Sequence, residues 1–132
     1  MRTPIRITLF FILFGLLPVF KGQAQPQSAG ARIRAVYGSY TDQLRAAQLA
    51  ELNARLQRVT IKQLPLQKDE TYPLLSRQRL VTKFVPDLKP DSFSDPAGIN
   101  PLKYSLGFQS KEDRMYRIDG TDYVLLIAGK KP

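Results

Sequence analysis

Asp87, Asp91 and Asp95 recur every fourth residue, a spacing that on a helix would stack three carboxylates on one side and offer them to a cation. Pro90 lies inside the segment and argues against that helix. The Asp-x-Asp-x-Asp-Gly run and distal bidentate Glu of an EF-hand calcium loop are missing. The three are therefore read as solvated turn aspartates, and no metal is expected. Glu112, Asp113, Asp119 and Asp122 form the second acidic group. Two carboxylates can act as the acid and base of a hydrolase that needs neither His nor Cys. These four, however, fall where hairpin turns select Asp and Gly for backbone geometry, and their spacing gives catalysis no support. Tyr37 and Tyr40, with Lys and Arg nearby, stand no better. With no His and no Cys the chain cannot build a Ser-His-Asp or Cys-His nucleophile, a thiol redox centre or a usual zinc site. Gly98, Gly107 and Gly120 stand isolated, so no phosphate-cradling loop is present. No catalytic residue, cofactor-binding residue or metal ligand is assigned, no cofactor is expected, and the chain reads as a non-enzyme.

One further constellation is basic and aromatic: Lys103, Tyr104, Phe108, Lys111, Arg114, Tyr116, Arg117 and Tyr123 interleave, as on a sheet that stacks bases or sugars and neutralises phosphates. Strand alternation places Tyr104 and Phe108 with Leu102 and Leu106 on an apolar face, which leaves too few exposed rings for such a platform. Nucleic acid is not an expected partner.

The elements that must position these residues begin with a leader. Arg2 and Arg6 precede an apolar run from Ile7 to Phe20, which ends in Gly22-Gln23-Ala24. A charged start, an apolar middle and small residues two apart describe a secretory signal peptide, residues 1–24, cleaved between Ala24 and Gln25. The competing reading is a retained anchor, but the run has about 14 residues where roughly 20 are needed to span a bilayer core. Pro18 near its end also favours cleavage, and with no Cys there is no acceptor for a lipid at the cut. Removing Arg2, Arg6 and Lys21 with no acid lowers the formal net charge from +9 to +6. That balance is compatible with a weak, salt-sensitive attraction to anionic envelope polymers or lipid head groups; maintenance of solubility is the preferred explanation. Membrane contact, if any, is peripheral.

Residues 25–32 are small and polar and read as a flexible leader. Residues 33–132 then form a single small domain, held by packing alone or by a partner in the absence of disulfides. From Thr41 to about Arg58 there is no Gly or Pro, and Ala, Leu, Gln, Arg and Glu dominate, which predicts one long helix capped by Ser39 or Thr41. Leu49, Leu52, Leu56 and Val59 make a stripe down one side of it. The stripe packs onto the sheet or forms a dimer seam; it lasts about two heptads, short of the three or four a coiled coil needs. Val59 and Ile61 alternate with Thr60 and Lys62 as a short strand or a fraying helix end, and Leu80 to Val85 is read as a strand. Residues 87–101, with Pro90, Pro96, Gly98 and Pro101, form a long irregular loop.

Leu102, Tyr104, Leu106 and Phe108 alternate with polar or small residues as a half-buried strand. Arg114 to Ile118 and Thr121 to Ala128 flank Asp119-Gly120, a two-residue hairpin dipeptide that would set Arg117 opposite Asp122 and Tyr116 opposite Tyr123. A four-residue loop, Asp119 to Asp122, would instead set Ile118 opposite Tyr123. Tyr123 to Ile127 is apolar on both faces, so that strand is covered twice, and the Leu49–Leu56 helix is the natural cover. The expected fold is α+β: one long N-terminal helix packed on a small antiparallel sheet that ends in a C-terminal meander.

The leader ending in Ala-Gln and the tail Tyr-Arg-Ile-Asp-Gly-Thr-Asp-Tyr are similar to those of small exported bacterial proteins, a resemblance that implies location only. The expectation is an exported (periplasmic or secreted), non-enzymatic accessory or structural protein of the bacterial cell envelope. Its partner would be another envelope protein or a second copy of itself. The alternative is a basic binding module for an anionic envelope ligand, a lipid head group or a polysaccharide.

Overall fold

The first helix is one that the sequence pattern does not announce, and Ser28 caps it: its hydroxyl accepts from the Ala31 amide at 3.2 Å. The computed structural model describes residues 27–131; the expected signal peptide, its cleavage point and Gln25-Pro26 lie outside them. Helix α1 spans Ala29–Tyr37 and buries Ile33 and Val36, so residues 29–32 are helical where a flexible leader is expected. At Gly38 the backbone turns to φ 56°, ψ −137°, a region that only glycine visits freely. A 3₁₀ turn follows over Gly38–Gln43, tied by the Thr41 hydroxyl donating to the Gly38 carbonyl at 2.6 Å.

The single helix expected from Thr41 therefore does not form. The Thr41 hydroxyl is engaged by the Gly38 carbonyl, Asp42 reaches back to Arg34 of α1, Leu44 is extended, and helix α2 runs over Ala46–Gln57. Gln48 accepts from the Arg45 amide at 2.8 Å, half of a capping box. The predicted stripe exists, but Leu49, Leu52 and Leu56 pack with Ile33, Val36, Val81 and Leu102. The stripe is core, and α1 with the Val81 and Leu102 segments covers it rather than the sheet.

The fold is mixed α+β with a three-stranded antiparallel sheet: β1 (Val59–Gln63), β2 (Arg114–Arg117) and β3 (Tyr123–Ile127), in the order β1-β3-β2. Arg117 pairs with Val124 and Tyr116 with Leu125, so the four-residue loop forms and the two-residue hairpin does not. The Ile118 amide donates to the Tyr123 carbonyl at 3.0 Å, and the Thr121 hydroxyl holds the loop by donating to Ile118 at 2.7 Å and accepting from the Tyr123 amide at 3.1 Å. Asp119 is thereby freed to accept from the Ser76 amide and hydroxyl. The shift is two residues along the partner, so each side chain keeps its face and changes its neighbour.

Val124 and Leu125 are both 0% exposed, as a doubly covered strand requires. Leu125 and Ile127 lie in a core with Leu75, Ile99, Tyr104, Phe108, Tyr116 and Ile118. On the other face Val124 lies beside Arg117, whose guanidinium is tied to the Leu64–Pro73 segment.

Two expected strands are absent among the described residues. Leu80 and Tyr104 form one isolated bridge, Pro101–Lys103 is a 3₁₀ turn, and the amides of Leu106 and Phe108 donate back two residues. The alternation nevertheless reports burial correctly, since Leu102, Tyr104 and Phe108 are buried. No helix among the described residues is long and apolar enough to cross a membrane.

Candidate functional site

Gly38 brings two tyrosines of one helix end onto a single ring. Phe84, in the segment expected as a strand, lies 4.7 Å from Tyr37 and 4.6 Å from Tyr40 between ring centroids, tilted 36° and 23°. Lys83 places its ammonium 5.4 Å from the Phe84 centroid, within the range of a cation–π contact. Tyr40 remains 39% exposed. This stack is one wall of a cleft of about 320 Å³ whose opposite wall is α2, with Leu44 and Leu52 among the lining side chains.

From α2, Gln48, Glu51 and Arg55 enter the cleft one turn apart. Arg55 pairs with Glu51 at 3.1 Å and lies 5.5 Å over the Phe108 ring. Its Nε is buried and has no hydrogen-bond partner among the described residues. Tyr37, Leu52 and Arg55 also line a second hollow of about 270 Å³, closed by Val81, Leu102, Tyr104 and Phe108. The cleft thus offers aromatic faces, an amide, a carboxylate and two cations, a set suited to binding by stacking and hydrogen bonding.

The structure disperses the residues singled out as possible chemistry. Asp87 is exposed at a turn, and Asp91 is far from solvated. Asp91 accepts from the Tyr104 hydroxyl at 3.0 Å and the Asn100 amide at 2.9 Å, and pairs with Lys103 at 2.9 Å. The Tyr104 oxygen in turn accepts from the Asp91 amide at 2.9 Å. Burial pushes the Tyr104 phenol well above its ordinary pKa. Burial likewise pulls the Arg32 guanidinium below its usual value, against the opposing pull of Asp91. Asp113 accepts from the Gly129 amide at 2.8 Å, Asp119 from Ser76, and Asp122 from Gln63 at 3.4 Å; Glu112 is exposed. Among the described residues no three acidic side chains converge on a metal-sized site.

The basic and aromatic set is broken up in the same way. Tyr104, Phe108 and Tyr116 are core, and Lys103 answers Asp91. Arg117, 2% exposed, forms a two-pronged pair with Glu70, with Nε to Oε2 at 2.8 Å and the second prong from Nη2 to Oε1. It also donates to the Leu64 carbonyl at 2.7 Å. That hydrogen bond from Arg117 holds the Glu70 carboxyl below its usual pKa, and the reciprocal bond raises the pKa of Arg117.

Sequence reasoning missed the cleft. Tyr37 and Tyr40, three apart beside basic residues, were its visible half, but Phe84 read as a strand residue. No protein-family model, curated protein or solved structure matches this chain, so the geometry carries the functional argument.

Proposed function

We propose that this chain is exported and serves the bacterial cell envelope as a non-enzymatic accessory or structural protein that acts through protein contact. Its partner is another envelope protein or a second copy of itself. The leader of Arg2, Arg6 and the Ile7–Phe20 run supports the location. The observation that carries the mode of action is the use of the acidic side chains: Glu70, Asp91, Asp113 and Asp119 each tie a loop to its neighbours. With the helix stripe closed by α1, the contact surface falls on the outer side of the sheet. There Thr60, Leu126 and Met115 form a cross-strand row with Leu126 and Met115 only half-buried.

A second reading, a basic binding module for an anionic envelope ligand, is favoured by the cleft that gathers Lys83 and Arg55 beside aromatic rings. One experiment separates the two. The full-length protein, tagged at its C-terminus, is purified from its host's envelope fraction in mild detergent, washed at low and high salt, and its companions are identified by mass spectrometry. A stoichiometric protein that survives high salt supports contact. Anionic lipid or polysaccharide alone, removed by salt, puts the second reading first. An N-terminal residue of Gln25 in the purified protein supports cleavage of the leader, and an intact Met1 overturns it.

A further inference from the structure

We propose that the cleft between α2 and the Tyr37–Phe84–Tyr40 stack binds an acidic sugar, a carboxylate-bearing pyranose of an envelope polysaccharide. This rests on the second reading above, the anionic-ligand module, and gives it a site and a ligand class.

A pyranose presents an apolar C–H face and a rim of hydroxyls, so its site needs a ring face beside planar hydrogen-bonding groups. Tyr40 gives one face to Phe84 at 4.6 Å and stays 39% exposed, so the stack ends on a ring able to receive a further layer. Across the cleft Gln48, Glu51 and Arg55 supply the amide, carboxylate and guanidinium that engage vicinal hydroxyls in pairs.

Charge selects an acidic sugar over a neutral one. Glu51 is answered by Arg55 at 3.1 Å, whereas Lys83 pairs with no carboxylate among the described residues and stands over Phe84. The cleft therefore holds one uncompensated cation beside its stacking surface, the place for a sugar carboxylate. The volume of about 320 Å³ is at the small end of ligand clefts, suited to one ring and its substituents.

The test titrates the protein isolated from its host with trigalacturonate, with the neutral maltotriose, with inorganic phosphate and with phosphatidylglycerol vesicles, by calorimetry and by amide chemical shifts. Trigalacturonate is expected to bind at least about tenfold more tightly than maltotriose and to shift the amides around Tyr40, Lys83 and Gln48. Tyr40→Ala is expected to weaken it by about tenfold or more. Lys83→Gln is expected to bring it down to the maltotriose level, with the thermal midpoint lowered by no more than the loss of one exposed cation–π contact. Equal binding of both trisaccharides, binding that survives both substitutions, or saturation by phosphate or vesicles alone each overturns the proposal. Absence of trigalacturonate binding, with an anionic polymer still released from the envelope preparation by salt, removes the cleft and leaves the anionic-ligand reading standing. Absence of any anionic companion at low salt removes both.

Discussion

Alanine in place of glycine should have opposite effects at two positions only eight residues apart in this chain. Gly38 sits at φ 56°, ψ −137°, and a Cβ there would meet Val85 Cγ2 at 3.1 Å. Forcing an L-residue into this region costs about 1–3 kcal/mol, and displacing Val85 by a few tenths of an ångström adds to that. The stiffer unfolded chain returns about 0.4–1 kcal/mol, so Gly38→Ala should destabilise by about 2 kcal/mol. At roughly 4–8 °C per kcal/mol for a domain of this size, the thermal midpoint falls by about 8–16 °C. Gly30 lies inside α1 with nothing within 4 Å of its added Cβ. Gly30→Ala should therefore stabilise by about 0.5–1 kcal/mol, raising the midpoint by about 2–8 °C. Calorimetric melting of both variants beside the parent measures the pair. Because Gly38 aims Tyr37 and Tyr40 at Phe84, its variant should also lose the ring-current shifts of that stack. A Gly38→Ala protein as stable as the parent, with the stack intact, would refute the argument that this turn builds the cleft.

Tyr104→Phe removes both hydrogen bonds to Asp91 and should cost about 1–3 kcal/mol, read by denaturant melting and by faster amide exchange across residues 87–101. Because the Tyr104 pKa is raised, its contribution is whole below the ordinary tyrosine range near pH 10 and is lost as the pH climbs from there. The Phe variant should show a flatter alkaline limb. Glu70 has the opposite sign. Its carboxyl is held low by Arg117, so its stabilisation is present above the usual carboxylate pKa and is lost as the pH falls through the depressed value; Glu70→Gln should blunt the acid limb of the stability profile. Glu70→Gln alone should melt lower than Glu70→Gln combined with Arg117→Met, because the single change strands a buried guanidinium. Leu125→Ala, at the centre of the sheet between Ile61 and Tyr116, should cost about 2–5 kcal/mol in chemical denaturation.

Local chemistry was legible in the amino-acid order wherever the determining forces act between near neighbours. The apolar alternation of Leu102, Tyr104 and Phe108 identified buried side chains, the Leu49-Leu52-Leu56 stripe identified a packed helix face, and Tyr123–Ile127 identified a doubly covered strand. Each is a statement about which groups leave water, and periodicity reports that directly. It says less about backbone hydrogen bonding. The same alternation in residues 102–108 is therefore satisfied by a 3₁₀ turn and backward-reaching amides. The irregular character of residues 87–101 was equally plain from its prolines.

What only the tertiary structure decided is who meets whom across long separations. Glu70 and Arg117 are 47 positions apart, and neither flanking sequence distinguishes a buried ion pair from two solvated charges. Asp91 read as a turn residue until Tyr104 and Lys103 closed on it. The hairpin register depended on Thr121 bracing the loop and on Ser76 taking Asp119. The start of α1 rested on one hydroxyl, that of Ser28. The cleft required Tyr37 and Tyr40 to be aimed at Phe84, more than forty positions away, by a glycine whose positive φ has no signature in composition. Burial follows from residue type and its local period, whereas partnership follows from the path of the whole chain.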